Sequence, residues 1–194
     1  WVKVHEVPTA GRTARGKAIV NILRLKDERV TSMIPVRDLQ EPGFLVFATQ
    51  RGVVKRCELK DFSNPRPSGI IAIHLRENDE LVGVALTRGD SQIVLAKRSG
   101  KAVRFKEGDV RAMGRAATGV RGATLESDSD SVIGMVAVSR QEAQLLVVTE
   151  KGYGKRTALD AYRLTARGTK GVITLRVTGR NGPLVAIREV VDGD

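Results

Sequence analysis

Three runs of β-forming residues each reach a glycine turn and place an arginine four positions later: Gly52 and Arg56, Gly100 and Arg104, Gly152 and Arg156. The turn glycines lie 48 and 52 positions apart. A period of this size marks a chain built from one supersecondary unit used repeatedly, in which each unit covers the apolar face of its neighbour. The fold has to satisfy that repetition before any single residue is interpreted.

Aligning on the glycines gives a partial unit at 1–36 and fuller units at 44–86, 92–138 and 144–190, which together read as one domain fragment over 1–194. Each full unit opens on an apolar strand (Phe44 to Thr49, Gln92 to Lys97, Gln144 to Thr149) that enters the glycine turn, where a positive φ suits a tight hairpin. The returning strand carries the basic residue. An irregular basic stretch follows and closes on a second glycine, at Gly16, Gly69, Gly119 and Gly168, with spacings of 53, 50 and 49. A further β run comes next, as in Ile70 to Leu75 and Val172 to Leu175, and then the last strand of the unit. Four short strands per unit with little helical periodicity predict an all-β fold, a propeller-like array of four-stranded blades. The continuous apolar runs predict strands buried on both faces, as stacked blades require.

Charge narrows the partner. Thirty-three Lys and Arg against 22 Asp and Glu leave a net charge of +11, which repels itself unless a polyanion is a normal partner. The cations recur by position. The hairpin region carries Arg51, Lys55 and Arg56, then Lys97, Arg98, Lys101 and Arg104, then Lys151, Lys155 and Arg156. The second-glycine region carries Arg12, Arg15 and Lys17, then Arg66, then Arg111, Arg115 and Arg121, then Arg163, Arg167 and Lys170. Around an axis, equivalent loops of this kind form one rim, and the whole set is expected to make a continuous phosphate-binding track. Aromatics are 4% of residues and do not alternate with the cations, which favours a grip on duplex backbone over base stacking on single strands.

Catalytic chemistry finds little support. His5 and His74 are the only histidines, and His74, in the apolar run Ile73-His-Leu, is expected to be a core imidazole. Cys57 is single, so no internal disulfide forms, and it reads as a small core residue in a protein of a reducing, cytoplasmic compartment. No Cys or His cluster has metal-ligand spacing. The glycines of Gly114 to Gly119 lack the Lys and Ser or Thr of a phosphate loop, and the acidic run from Glu126 lacks the glycine and closing Glu of a calcium loop. No run of apolar residues is long enough to span a membrane as a helix, and the amino end, Trp-Val-Lys-Val-His-Glu-Val-Pro, lacks a signal layout. Both ends read as cuts through a longer protein.

Several ordered motifs resemble one family. At Arg12 to Asn21, Gly69 to Gly83, Met113 to Gly122 and Gly152 to Thr157 the chain resembles the C-terminal domain of bacterial DNA gyrase A, and the likeness covers nearly the whole sequence. The resemblance implies a β-pinwheel, with strands exchanged between neighbouring blades, that wraps duplex DNA around a basic rim in ATP-dependent negative supercoiling. Family domains have six blades, so an incomplete set is expected here. The family's basic heptapeptide, Gln-Arg-Arg-Gly-Gly-Lys-Gly, is absent, and Ala166 to Gly171 is a degenerate echo of it. The related polypeptide of topoisomerase IV, which shares the fold and lacks the heptapeptide, remains an alternative. The resemblance places the DNA-cleaving tyrosine, ATP and magnesium in other parts of the holoenzyme, so that Tyr153 and Tyr162 are not catalytic and this chain alone is not an enzyme. Implied partners are duplex DNA, the remainder of gyrase A, and gyrase B in an A2B2 holoenzyme, with the isolated domain monomeric. Two rivals carry different tests: a propeller that binds acidic proteins predicts no DNA affinity beyond nonspecific levels, and an enzyme with a channel site predicts turnover by the chain alone.

Overall fold

The computed structural model describes all residues except 24, 26, 27, 67, 141 and 194. Among the described residues there are eleven strands and a few single 3-10 turns, with no α-helix. Each full unit begins with a hairpin: β1 (Phe44–Thr49) with β2 (Val53–Glu58), β4 (Gln92–Lys97) with β5 (Lys101–Lys106), and β8 (Gln144–Thr149) with β9 (Gly154–Ala158). The turn glycines hold φ of +79°, +83° and +80° at Gly52, Gly100 and Gly152, the left-handed conformation that only glycine adopts without strain. The long third strands, β3 (Leu81–Thr87), β7 (Val132–Val138) and β11 (Leu184–Val190), pair with the first strand of their own hairpins.

The fourth strand comes from elsewhere. The two-residue β6 (Val120–Arg121) belongs to the second full unit but pairs with β2 of the first, Val120 opposite Val54. Likewise β10 (Val172–Ile173) of the third unit pairs with β5 of the second, Val172 opposite Ala102. Neighbouring units therefore exchange strands, giving sheets in the order β3-β1-β2-β6 and β10-β5-β4-β7, and a third sheet, β11-β8-β9, with three strands.

In the first two full units burial follows the two-faced pattern read from the sequence, whereas in the third β8 is fully buried only at alternate positions and β9 is mostly exposed. In β1, Leu45 and Phe47 enter one cluster with Cys57, Leu59 and Phe62, while Val46 and Ala48 enter a second with Ile93, Leu95 and Phe105. In β4, Val94 and Ala96 reach a third cluster with Leu145 and Val147 of the next unit. Each core is thus shared between adjacent blades. The third strands β3, β7 and β11 pack against one another on the inner side, which leaves the exchanged strands on the outer side.

Four sequence expectations change. The segment 1–36 holds no strand among its described residues, only 3-10 turns at Val4–Glu6 and Ile19–Asn21. Each full sheet takes three strands from its own unit and one from the next, which replaces the four strands per unit read from the repeat alone and agrees with the strand exchange that the resemblance implies. The run Ile70 to Leu75 forms no strand, since no hairpin edge stands beside it, and His74 is accordingly exposed on it and absent from the core. The repeat also has a different register in the last unit. Gly171, not Gly168, is the counterpart of Gly119, because each stands immediately before an exchanged strand, with φ of +76° and +109°. A β-carbon at Gly119 would sit 2.6 Å from the carbonyl oxygen of Val54, and one at Gly171 would meet that of Ala102, whereas Gly168 has no contact shorter than 3.6 Å. These glycines let one backbone lie flat on another.

Candidate nucleic-acid interface

The predicted cations separate into three groups once their surroundings are known. The first is internal. Lys55 is fully buried, and its ammonium donates to the carbonyl oxygens of Ala72, at 2.6 Å, and Arg115. Lys97 is also fully buried and donates to Thr124 O and Glu126 Oε1, both at 2.9 Å. Neither ammonium faces solvent, so both leave the expected phosphate track. Burial pulls the Lys55 pKa below the usual lysine range and pushes the Cys57 thiol up. Glu126 is held down to about 2 by hydrogen bonds from Lys97 and Lys101, the latter at 3.0 Å.

The second group joins blades. Arg56 lies 4.5 Å over the Phe44 ring, with its guanidinium 3.8 Å from Glu107 of the next unit. Glu107 is fully buried and accepts from Thr87 Oγ1 at 2.6 Å and Ser91 N at 3.2 Å. Arg104 makes the equivalent reach from the second unit to the third. Its Nε donates to Gln92 Oε1 at 2.6 Å, and its Nη1 donates to Leu159 O and Tyr162 O at 2.8 and 2.7 Å. In both joints the target is the 3-10 turn that follows the next hairpin, Glu107–Asp109 or Leu159–Ala161. Arg167 adds a third tie, donating to Asp109 O at 3.1 Å and Arg121 O at 2.9 Å. In the first two full units the arginine four positions after the turn glycine is therefore an interblade clamp. Arg156 holds the same position in the last unit, where no described blade follows; it is exposed and stands 3.5 Å from Asp192.

The third group is exposed. Arg51, Arg98 and Lys151 occupy the hairpin turns, beside the inner strands: Arg98 N donates to Ser131 O at 2.8 Å and Arg98 O accepts from Leu184 N at 3.1 Å. Their charges are partly engaged, Arg51 near Asp128 O, Arg98 3.9 Å from Glu150, and Lys151 with Gly179 O. Lys101 is half-buried against Glu126, and Lys155 is exposed on β9. On the outer side lie Arg111, Arg121, Arg163 and Lys170, all exposed, with Arg115 half-buried. Arg111 and Arg163 occupy the same place, each preceding a residue bridged to the clamp arginine, Ala112 to Arg56 and Leu164 to Arg104.

The outer segments adjoin one another. Ala117 O accepts from His74 N at 3.5 Å, Thr169 O from Thr124 N at 3.0 Å, and Gly122 O from Gly168 N at 2.7 Å. The strip from 70–75 through 111–124 to 163–173 is thus one perimeter, with its free cations in the second and third units. Outside this strip, Arg66 and Asp61 of the first unit are both exposed. Arg12, Arg15 and Lys17 are exposed on the segment outside the sheets. The single belt expected from the sequence is therefore a perimeter strip and a separate set of hairpin-turn charges.

Sequence reasoning missed the anions that hold this frame. Asp79 accepts from Thr49 Oγ1 at 2.6 Å and Arg51 N at 2.9 Å, and Asp130 accepts from the Ser99 amide and hydroxyl, both at 2.9 Å. Both are buried and cap the hairpin turns. Their spacing of 51 was a signal within the same repeat.

The profile described as "DNA gyrase C-terminal domain, beta-propeller" matches residues 1–37, 43–88, 98–139 and 143–190. The chain belongs to the DNA gyrase C-terminal domain family. It is 49% identical to DNA gyrase A of Salmonella typhimurium over 195 residues, which is all of this chain and 22% of that relative. Against DNA gyrase A of Escherichia coli K12 the identity is 45% over 194 residues, again 100% of the chain and 22% of the relative. The chain therefore spans about a fifth of the length of these relatives. Among solved structures it superposes on the C-terminal domain of DNA topoisomerase IV with TM-score 0.86 at 30% identity, covering 97% of this chain and 59% of that one. A DNA gyrase A C-terminal domain gives 0.80 at 25% identity, with 92% and 60% covered. No helix among the described residues is long and apolar enough to cross a membrane.

Proposed function

We propose that this chain is a non-catalytic module that binds duplex DNA along its outer perimeter and bends it there, within a cytoplasmic gyrase that introduces negative supercoils. One observation carries the reading: exposed Arg111, Arg121, Arg163 and Lys170 lie on a continuous outer strip made by the strand-exchange segments of successive blades. Cations at repeated intervals along a convex edge suit a curved phosphate backbone, and nothing in the arrangement reads base edges. Smooth bending of roughly 20–30 base pairs by 40–90° costs about 1–6 kcal/mol, which phosphate contacts have to offset. Sequence preference then arises from deformability of the duplex.

The parent enzyme, in this reading, joins the module to the remainder of gyrase A and to gyrase B in an A2B2 holoenzyme, and those parts supply DNA cleavage, ATP hydrolysis and magnesium. The curated relatives favour gyrase over topoisomerase IV as the parent, since they are gyrase A polypeptides at 45% and 49% identity over the full chain.

A salt titration tests the module directly. Four phosphate contacts give a slope of roughly −3.6 in log affinity against log salt for a short duplex. A flat response removes the perimeter model, and strong binding to acidic proteins without DNA affinity favours the protein-interaction rival.

A further inference from the structure

The two internal joints use equivalent positions and fill them differently. In the first, the Arg56 guanidinium stacks on the Phe44 ring and faces the buried Glu107 carboxylate, which accepts from the Thr87 hydroxyl. The ring fits its place closely, since a β-carbon at Gly89 would lie 2.9 Å from it. In the second joint the strand registers put Gln92 at the place of Phe44 and Val138 at that of Thr87, and Leu159 opens its 3-10 turn where Glu107 opens the other. The second joint therefore has no ring, no hydroxyl and no carboxylate at these three places.

A cleft of about 440 Å³ opens there, and its lining includes Asp90, Gln92, Arg104, Arg140, Leu159 and Asp160. That size falls among small-molecule sites, which run from roughly 300 to 1,000 Å³. A described unit stands on each side, so the cleft comes from the side chains at 92, 138 and 159. Arg104 spends its Nε on Gln92 and its Nη1 on the Leu159 and Tyr162 carbonyls, while its Nη2 has no hydrogen-bond partner among the described residues. Burial lowers the Arg104 pKa, and the Asp160 carboxylate opposes that shift from within electrostatic reach. Asp90, Arg140 and Asp160 are exposed and form no ion pair or hydrogen bond among the described residues.

We propose that this cleft binds a small zwitterion, an α-amino acid, whose carboxylate meets the guanidinium groups of Arg104 and Arg140 and whose ammonium meets the carboxylates of Asp90 and Asp160. The lining charges balance, two guanidiniums against two carboxylates, so an ion of one sign is repelled by one of the pairs. A ligand that carries both signs a few bonds apart satisfies both. Its carboxylate takes the part that Glu107 plays toward Arg56, with the charge-assisted hydrogen bonds that a guanidinium offers. Gln92 and Arg104 belong to the second unit and Leu159 and Asp160 to the third, so the bound ligand ties two blades and steadies their joint in proportion to occupancy. The perimeter cations Arg111, Arg121, Arg163 and Lys170 do not line the cleft, and the proposal stands apart from the DNA reading.

Titration of the chain with L-alanine to about 100 mM, followed by the nuclear magnetic resonance signals of the Gln92 side-chain amide and the Arg104 Nε–H, tests the site. The expected result is a saturable shift of both signals, with acetate and methylammonium, which carry one charge each, binding at least about tenfold more weakly. Gln92→Phe with Val138→Thr and Leu159→Glu gives the second joint the filling of the first and is expected to abolish the Arg104 shift. If that variant fails to fold, Arg140→Gln and Asp160→Asn, both at exposed positions, decide: each is expected to weaken alanine binding at least about fivefold. Absence of saturation by alanine, acetate binding as tightly as alanine, or undiminished binding by the folded variants overturns the proposal.

Discussion

Arg104 and Arg156 are the same residue of the same repeat, yet one is a half-buried clamp with three internal hydrogen bonds and the other stands in solvent near Asp192. The difference is not in their local sequence. It lies in the next blade: a 3-10 turn of the third unit covers Arg104, and nothing among the described residues covers Arg156. A repeated cation can therefore be a structural tie in one unit and a free charge in another, and the neighbouring blade decides which.

Truncating the two arginines gives the largest contrast. Arg104→Ala leaves Leu159 O and Tyr162 O without their donor and is expected to destabilise folding by roughly 2–4 kcal/mol. Arg156→Ala changes an exposed pair and is expected to cost less than about 0.5 kcal/mol in the separated chain. Urea unfolding of both variants checks this, and equal losses would remove the clamp assignment.

A smaller effect sharpens a second comparison, between Thr49 and Lys97 at the ends of β1 and β4. Thr49 is short and bonds Asp79, whereas Lys97 places a charge in the core that Glu126 has to answer. Glu126 titrates near 2 in the folded chain, below its ordinary value, so it binds fewer protons folded than unfolded. Its contribution is present above the unfolded carboxyl range and declines as pH falls through about 2. Glu126→Gln is expected to flatten the loss of thermal stability between neutral and acid pH; a parent-like acid profile would contradict the pairing.

Much of the frame was legible because glycine turns and two-faced apolar strands leave a periodic trace. The hairpins at Gly52, Gly100 and Gly152 and the dual burial of β1 and β4 follow from residue type alone. Strand exchange is different: the run at Val172 announces a strand, but neither it nor Val120-Arg121 shows in its own residues that the partner lies in another unit, and only the family resemblance implied the exchange. For the same reason Ile70 to Leu75 carries the right residues for an exchanged strand and lacks the edge to pair with. The site was legible in charge and less so in accessibility. Lys55, Arg56, Lys97 and Arg104 share the repeat of the exposed cations, and only packing reveals that their charges are spent on carbonyls and carboxylates inside the molecule.

Duplex affinity of two charge-reversed proteins, measured across a salt series beside the parent, bears most directly on the perimeter as the DNA site. The account predicts that Arg111→Glu, Arg121→Glu and Arg163→Glu together weaken binding by several decades at low salt and reduce the salt slope by about 0.9 for each phosphate no longer neutralised. It predicts a far smaller change for Arg98→Glu with Lys151→Glu at the hairpin turns. Unchanged affinity in the perimeter variant, with the loss confined to the hairpin-turn variant, would contradict it.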